Sequence, residues 1–458
     1  MTRLVVVGGG ISGLAAAWFA AEAGFDVIVL EAAPQVGGKL RVEEVAGVPV
    51  DVGAEALLTV RPEGVDLIAA LGLADERLAP LTTAARVRVA GADHPLPAAT
   101  MLGIPSAVGP VRDSGVLSAA GLGAVAAEPD LPPLPPLTED VAVGPLVRDR
   151  MGREVRDRLV EPLLGGVYAG RADELSLRAT MPGLAAQLAT GGSLTAAAAA
   201  ATTARPAPPG GVFTTLRGGL GRLPAALAAV GRFEIRTGVT VRDVRRTATG
   251  FVVECARGVE RSVLDADAVV VAAPAAKAAR LLATSAPAAA ADLAGIESAS
   301  MAIVSFAFRD VTVPTGSGLL VAGGERLATK AVTVTSQKWP VAAGGLTLLR
   351  ASVGRIDEPA ALRLDDGELA ALVQRELRPL LGIAAPPVDT RVTRWGGGLP
   401  QYAVGHVERV ARIRAAVAAV PGLAICGAAF DGVGVPACIG SARAAVDRLA
   451  GATMDRGQ

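Results

Sequence analysis

A strand, a glycine turn and a helix at the start of the chain, the outline of the same unit near its end, and β-rich stretches between them predict an α/β protein. The expected architecture is a discontinuous Rossmann-like dinucleotide-binding domain, a mixed-sheet domain of α+β character and a helical subdomain. Residues Arg3 to Val7 read as a short buried strand. Gly8-Gly9-Gly10-Ile11-Ser12-Gly13 follows at once and opens an alanine-rich helical run that stops near Gly24. Asp26 to Leu30 forms a second apolar strand and places Glu31 at its carboxyl end, where a ribose-binding acid belongs.

Each part of this fingerprint has a mechanical reason. Gly8 permits the tight turn, Gly10 lets backbone approach a pyrophosphate, and Gly13 lets helix and strand pack closely. The helix N-terminus offers free N–H groups and the positive end of its dipole. Glu31 would accept hydrogen bonds from ribose hydroxyls, the plainer alternative being a solvated carboxylate at a strand end.

Two further features favour a flavin dinucleotide over a nicotinamide one. Pro34-Gln35-Val36-Gly37-Gly38-Lys39 and Asp51-Val52-Gly53-Ala54-Glu55 follow Glu31 closely, and NAD dehydrogenases do not need them. FAD is bound extended, so its isoalloxazine end must be held by chain remote from the pyrophosphate turn. Leu423 to Gly427 reads as a strand, Asp431-Gly432-Val433-Gly434-Val435-Pro436 as a loop and Cys438 to Leu449 as a helix. The start of that helix would sit against the flavin pyrimidine edge and stabilise the anionic reduced form; an ordinary closing strand and helix is the alternative.

Between these ends, Gly231 to Val244, Phe251 to Cys255 and Asp265 to Pro274 supply a third segment of the dinucleotide domain, the last as a continuous apolar strand suited to a parallel sheet. The FAD-binding domain is therefore expected from residues 1–70, 213–285 and 415–454. A substrate domain is expected from 71–85, 180–212 and 286–414, with strands at Ala302 to Phe308, Ala331 to Thr335 and Thr347 to Val353. Residues 86–179 form the expected helical subdomain. Pro132 to Pro136 reads as a rigid loop, and the alanine-rich tract from Thr195 to Pro209 as a surface insertion.

Bulk properties exclude several classes. Lys+Arg and Asp+Glu both total 44, so no basic field for nucleic acid exists. Hydrophobic residues make up 51% and mean hydropathy is +0.45, but much of this is alanine, and no run reads as a spanning helix. The N-terminus enters a strand without a charged leader, so a cytoplasmic location is expected. Peripheral membrane contact through 86–179 has no basic amphipathic helix to support it. Three cysteines and two histidines without metal-type spacing predict neither disulfides nor a metal site.

Further motifs carry a resemblance. These are Glu161-Pro162-Leu163-Leu164-Gly165-Gly166-Val167-Tyr168-Ala169-Gly170 with Leu175-Ser176, Thr215-Leu216-Arg217-Gly218-Gly219-Leu220, Gln337-Lys338-Trp339-Pro340, Leu349-Arg350-Ala351-Ser352-Val353-Gly354-Arg355, and Trp395 through His406. With the FAD turns, they make the chain resemble the flavin amine oxidase superfamily and, within it, the porphyrinogen oxidases of haem biosynthesis. The resemblance spans nearly the whole chain. It implies non-covalent FAD contacts at Gly8, Gly9, Gly10, Ile11, Ser12, Gly13, Glu31, Ala32, Lys39, Gly53, Ala54, Glu55, Ala56, the backbone of Val241, Trp395, Val433, Gly434 and Val435.

The resemblance also implies that a tetrapyrrole loses hydride and protons in two-electron steps while dioxygen is reduced to hydrogen peroxide. The bacterial branch that oxidises coproporphyrinogen III to coproporphyrin III is the nearest fit, which brings in a downstream haem-pathway enzyme as a candidate partner. Where the family has Gly-Ile-Pro-Asp-Cys, this chain has Val435-Pro436-Ala437-Cys438, so a role for that acid is in doubt.

No catalytic base stands out. His94 and His406 are the two imidazoles, and a helix-start or core role suits His406 better. Arg86, within Ala85-Arg86-Val87-Arg88-Val89, approximately matches an arginine that pairs with a substrate propionate in related enzymes; an exposed strand arginine is the competing reading. Tyr168 and Trp339 are candidates for lining a pocket or for core packing. Alternative functions are protoporphyrinogen IX oxidation, amine oxidation, disfavoured by an aromatic content of 3%, and a non-enzymatic escort on the same fold.

Overall fold

The computed structural model describes residues 2–203 and 211–454. Arg3–Val7 lies at the centre of a five-stranded sheet in the order Glu234–Thr237, Asp26–Glu31, Arg3–Val7, Ala268–Val271, Leu423–Ile425. All four pairings are parallel. Both faces are covered, which is why these strands read as unbroken apolar runs. Leu4 and Val6 pack under the helices Ile11–Glu22 and Val435–Met454. Val5 and Val7 turn to the other face, against an antiparallel sheet of Thr240–Arg246, Phe251–Arg257 and Glu260–Ala266 and the helices beyond it. Ile11–Glu22 is apolar all round because the C-terminal helix packs beside it. That helix starts at Val435, earlier than the Cys438 expected from sequence.

A second sheet has seven strands, in the order Asp389–Pro400, Ser298–Arg309, Leu346–Val353, Thr329–Val334, Gly318–Val321, Ala85–Val89, Ala92–Pro95. It is mixed, since Ala85–Val89 runs parallel to Gly318–Val321 and every other pair is antiparallel. Alternation divides its side chains cleanly. Val304, Leu319, Val332, Leu349 and Ala351 share one face with the helix Asp366–Leu381. An Asp365–Glu368 capping box starts that helix and Gly382, in the left-handed region, ends it. Ser305, Thr333 and Arg350 pair across the opposite face. Leu320 and Val87 share this second face and meet the helical core.

Two expected boundaries shift. Ala85–Val89 and Ala92–Pro95 belong to this sheet, although 86–179 was expected to be helical, because alternating valines on 85–89 suit a strand with one covered face. Residues 182–203, grouped from sequence with the substrate domain, pack into the helical core, where Leu184, Leu188 and Leu194 meet Val147, Leu159 and Leu164. Of the tract expected as a surface insertion, Leu194–Thr203 is a helix with Ala197, Ala198 and Ala201 buried, and 204–209 fall outside the described residues. Alanine's small side chain is what allows that close packing. Among the described residues no helix is long and apolar enough to cross a membrane.

Candidate flavin and substrate site

The glycine turn has the shape its spacing implies. Gly8 has φ +110°, and a Cβ there would stand 2.8 Å from the Ala272 carbonyl oxygen. A Cβ on Gly13 would lie 1.8 Å from the Gly8 oxygen, so helix and strand meet only because it is glycine. Gly10 differs, since a Cβ there would meet only the Gly38 Cα, at 4.0 Å. It also begins the helix without a capping side chain. Open space beside uncapped N–H groups, including those of Ile11 and Ser12, suits a pyrophosphate. Glu31 accepts from Gly9 N at 2.6 Å and from Ala33 N at 2.7 Å, so it braces the turn while keeping lone pairs for a ribose. Ala32 is exposed beside it. Val239 donates to the Glu31 carbonyl at 2.9 Å, which brings Val241, at a β-bulge two residues on, toward the same corner.

The second cofactor stretch is held from beneath. Ala54 N donates to Lys39 O at 3.0 Å, and a Cβ on Gly53 would stand 1.9 Å from that oxygen. Lys39 Nζ reaches the Gly398 carbonyl at 2.5 Å; burial pushes its pKa down, with Cys438 opposing. Trp395 Nε1 donates to Val52 O at 2.9 Å. The Glu55 carboxylate, expected at the cofactor, is occupied otherwise: Lys338 Nζ sits 2.5 Å from one oxygen and Arg350 bonds the other and also the Gly53 carbonyl. Burial alone would raise this carboxyl, but Arg350 and Lys338 outweigh it and hold its pKa at about 2. Gly53, Ala54 and Ala56 therefore present only backbone and small side chains to a ligand. The Gln337–Pro340 and Leu349–Arg355 motifs act here as clamps joining the substrate sheet to the cofactor loop.

The remaining motifs converge on the loop before the C-terminal helix. Gln401 Nε2 donates to Tyr168 O at 2.8 Å, Ser176 N to Tyr402 O at 2.8 Å, and the Tyr168 and Tyr402 rings lie 5.5 Å apart. Tyr402, 1% exposed, donates its hydroxyl proton to Ala428 O at 2.6 Å and accepts from Gly432 N at 2.9 Å. These bonds set the path of the chain into Val433, Gly434 and Val435. Burial pushes the Tyr168 hydroxyl up to about 12. His406 opens a helix, stacks on Tyr402 at 4.1 Å, and burial lowers its pKa to about 4, leaving it a neutral packing group. Ala437 is buried with its Cβ 3.0 Å from the position a Cβ on Gly432 would take. Tyr402→Phe removes two bonds from this loop; we expect it to lower stability by about 1–3 kcal/mol and to speed cofactor loss, measured by thermal denaturation and by flavin retained after gel filtration.

Arg86 does not reach this site. It pairs with Leu319, which pairs with Val332, so it lies on the face covered by Asp366–Leu381. Ala85, one residue earlier and paired with Gly318, is on the face of Thr333 and Arg350. A slip of one residue along a strand exchanges faces, so the register of this one strand decides which side Arg86 takes. Arg86→Ala is expected to leave the Michaelis constant unchanged, and a large rise in steady-state assays would return Arg86 to the site. Cys255, Cys426 and Cys438 are buried free thiols. Trp339 is buried beside Lys338. Among the described residues no group of three or more His, Cys, Asp or Glu side chains could hold a metal.

The family profile described as flavin containing amine oxidoreductase matches residues 11–450. Proteins named coproporphyrinogen III oxidase are 41% identical in Mycobacterium tuberculosis, with 96% of each chain covered, and 34% identical in Bacillus subtilis, with 97% of each chain covered. A solved structure from Exiguobacterium sp. 255-15, named for protoporphyrinogen oxidase, superimposes with a TM-score of 0.87 at 31% identity, covering 100% of this chain and 99% of that one. Matched along almost all of its length, with its glycine turn, cofactor stretch and C-terminal loop gathered at one place, the chain belongs to the flavin containing amine oxidoreductase family.

Proposed function

We propose that the protein holds FAD non-covalently and oxidises coproporphyrinogen III to coproporphyrin III, with dioxygen as electron acceptor and hydrogen peroxide as its product. The glycine turn from Gly8 to Gly13 and Glu31 with Ala32 take the adenosine and pyrophosphate end, beside Val241. Lys39, the Gly53–Ala56 backbone, Trp395 and the Val433–Val435 loop take the isoalloxazine end. FAD held by these residues would supply two-electron, hydride-accepting chemistry that dioxygen can reverse. The protein's own part is positioning: the clamped Glu55 loop and the Tyr402-braced loop hold the two walls in register, and the His406 imidazole is taken up in stacking on Tyr402.

The observation that carries the substrate reading is a surplus of cations beside the cofactor stretch: Arg350 and Lys338 share Glu55, Arg355 is paired with Glu161, and Lys330 has no carboxylate of its own, so four cations meet two carboxylates. Such a surplus suits a polycarboxylate and repels an amine cation. Tyr402 is also occupied by His406 and two backbone groups, which leaves it unsuited to caging an amine. The names of the relatives point the same way. Aerobic turnover on coproporphyrinogen III and protoporphyrinogen IX in parallel, followed by porphyrin fluorescence and peroxide, tests the reading. Faster oxidation of the tetracarboxylate supports it, preference for the dicarboxylate moves the protein to protoporphyrinogen, and no oxidation of either overturns it.

A further inference from the structure

Beneath the helix Glu161–Tyr168 lies a cluster of charges that the cofactor reading does not use. Glu161, 3% exposed, accepts from Arg355 Nη1 at 3.0 Å and from Ala172 N at 2.8 Å, with Arg171 3.8 Å away; Arg171 in turn pairs with Glu358 at 2.5 Å. Lys330 belongs to the same group, with Arg355 and Arg171 repelling its charge and Glu358 attracting it. It is 8% exposed and, among the described residues, has no hydrogen-bond or ion-pair partner. The cluster holds three cations, Lys330, Arg171 and Arg355, against two carboxylates, Glu161 and Glu358, and both carboxylates are already engaged by arginine.

The position is unusual for the strand as well. Lys330 sits at a register break between Thr329 and Ala331, so it is the residue extruded from the ladder. Ala331 next to it shares the face of Leu320, which the helix Glu161–Tyr168 covers, a Cβ on Gly166 lying 3.8 Å from Leu320. Arg171 and Glu358 are partly exposed, so the cluster opens toward solvent on that side. A lysine buried this far, whose nearest carboxylate Glu358 is already paired with Arg171, costs stability, and burial lowers its pKa to about 7. Such a group is retained at a cost that an arriving anion would remove.

Resting on the reading of the substrate as a polycarboxylate, we propose that Lys330, flanked by Arg355 and Arg171, receives one carboxylate of the substrate. It supplies on this face the cation that Arg86, on the opposite face, cannot. A carboxylate here would complete the charge balance of the cluster. Lys330→Met would remove the unpaired charge at similar volume, so the variant should fold and melt at a higher temperature than the parent.

The test measures binding of coproporphyrin III and of its neutral tetramethyl ester, in the same detergent, to flavin-loaded wild type, Lys330→Met and Lys330→Arg, read by porphyrin fluorescence. Loss of one charge-assisted bond predicts about 10- to 100-fold weaker binding of the acid to Lys330→Met, unchanged binding of the ester, and recovery of most of the acid's affinity in Lys330→Arg. Equal binding of the acid to wild type and Lys330→Met overturns the assignment, as does an equal loss for acid and ester. Failure of wild type to bind either porphyrin overturns the substrate reading itself, and this proposal with it.

Discussion

Gly10→Val is expected to yield folded, colourless protein. A Cβ at this position meets nothing in the chain nearer than the Gly38 Cα, at 4.0 Å, so the backbone here does not itself exclude a side chain. The space it fills is the one a pyrophosphate needs beside the uncapped start of Ile11–Glu22. Flavin retained after gel filtration should fall to near zero while circular dichroism stays that of the parent. Gly13→Val is the informative contrast, because its Cβ would lie 1.8 Å from the Gly8 oxygen and the variant should fail to fold at all. Full flavin occupancy in the Gly10 variant would remove the turn from the cofactor site.

Glu55→Gln should be the most damaging change outside the glycine turn. It leaves Arg350, 7% exposed, and Lys338 without their counter-charge, and breaking a buried pair in this way costs about 3–5 kcal/mol. Denaturant unfolding would measure the loss. Replacing Arg350 by Met in the same chain should return part of it, which separates an uncompensated charge from a simple packing defect. The pH dependence has a definite sign. Folding lowers the pKa of Glu55 from 4.5 to about 2, so its stabilisation is complete above 4.5 and is lost as pH falls through about 2. Asp51 works in the opposite sense. Burial raises its pKa from 3.8 to about 6 despite hydrogen bonds from Leu220 and Gly221, so the native state binds the extra proton first and gains stability as pH falls from about 6 to 3.8. The Glu55→Gln variant should therefore lose the acid-side decline below pH 4.5 that belongs to this carboxyl, and the Asp51 gain above it should shrink, because the Glu55 charge contributes to raising Asp51 while Arg350, freed of Glu55, lowers it.

Much of the architecture was legible because it is written locally. The strand, glycine turn and helix from Arg3 to Glu22 follow from apolar runs and steric demands at Gly8 and Gly13, and the closing strand and loop near Leu423 follow from the same pattern. The strands near Ala302, Ala331 and Thr347 were found by their β-branched and apolar content. Other parts were not legible. The helix Leu194–Thr203 looked like an insertion because alanine has little periodicity to show which side is buried. Of the four lysines, Lys39 was named from sequence as a cofactor contact and Lys338 lay in the Gln337–Pro340 motif, but nothing local marked Lys330, whose burial among Arg355, Arg171 and Glu358 comes from the tertiary fold.

The local sequence was enough to specify the dinucleotide turn, the acid at the end of the second strand and the presence of a separate β-rich domain, because each depends on steric and periodic rules that act within a few residues. Which groups face one another was decided by tertiary structure alone. Glu55 was expected at the cofactor and is instead neutralised by Arg350 and Lys338 from a strand and turn remote in the chain. Arg86 and Ala85 differ by one position, and only the pairing of Ala85–Val89 with Gly318–Val321 determines which of them shares the face of Arg350. Lys330 lies among Arg355, Arg171 and Glu358 because a register break turns it out of its strand. Coulomb and hydrogen-bond energies depend on distance through space, and a linear sequence carries no record of that distance until strand register and domain packing fix it.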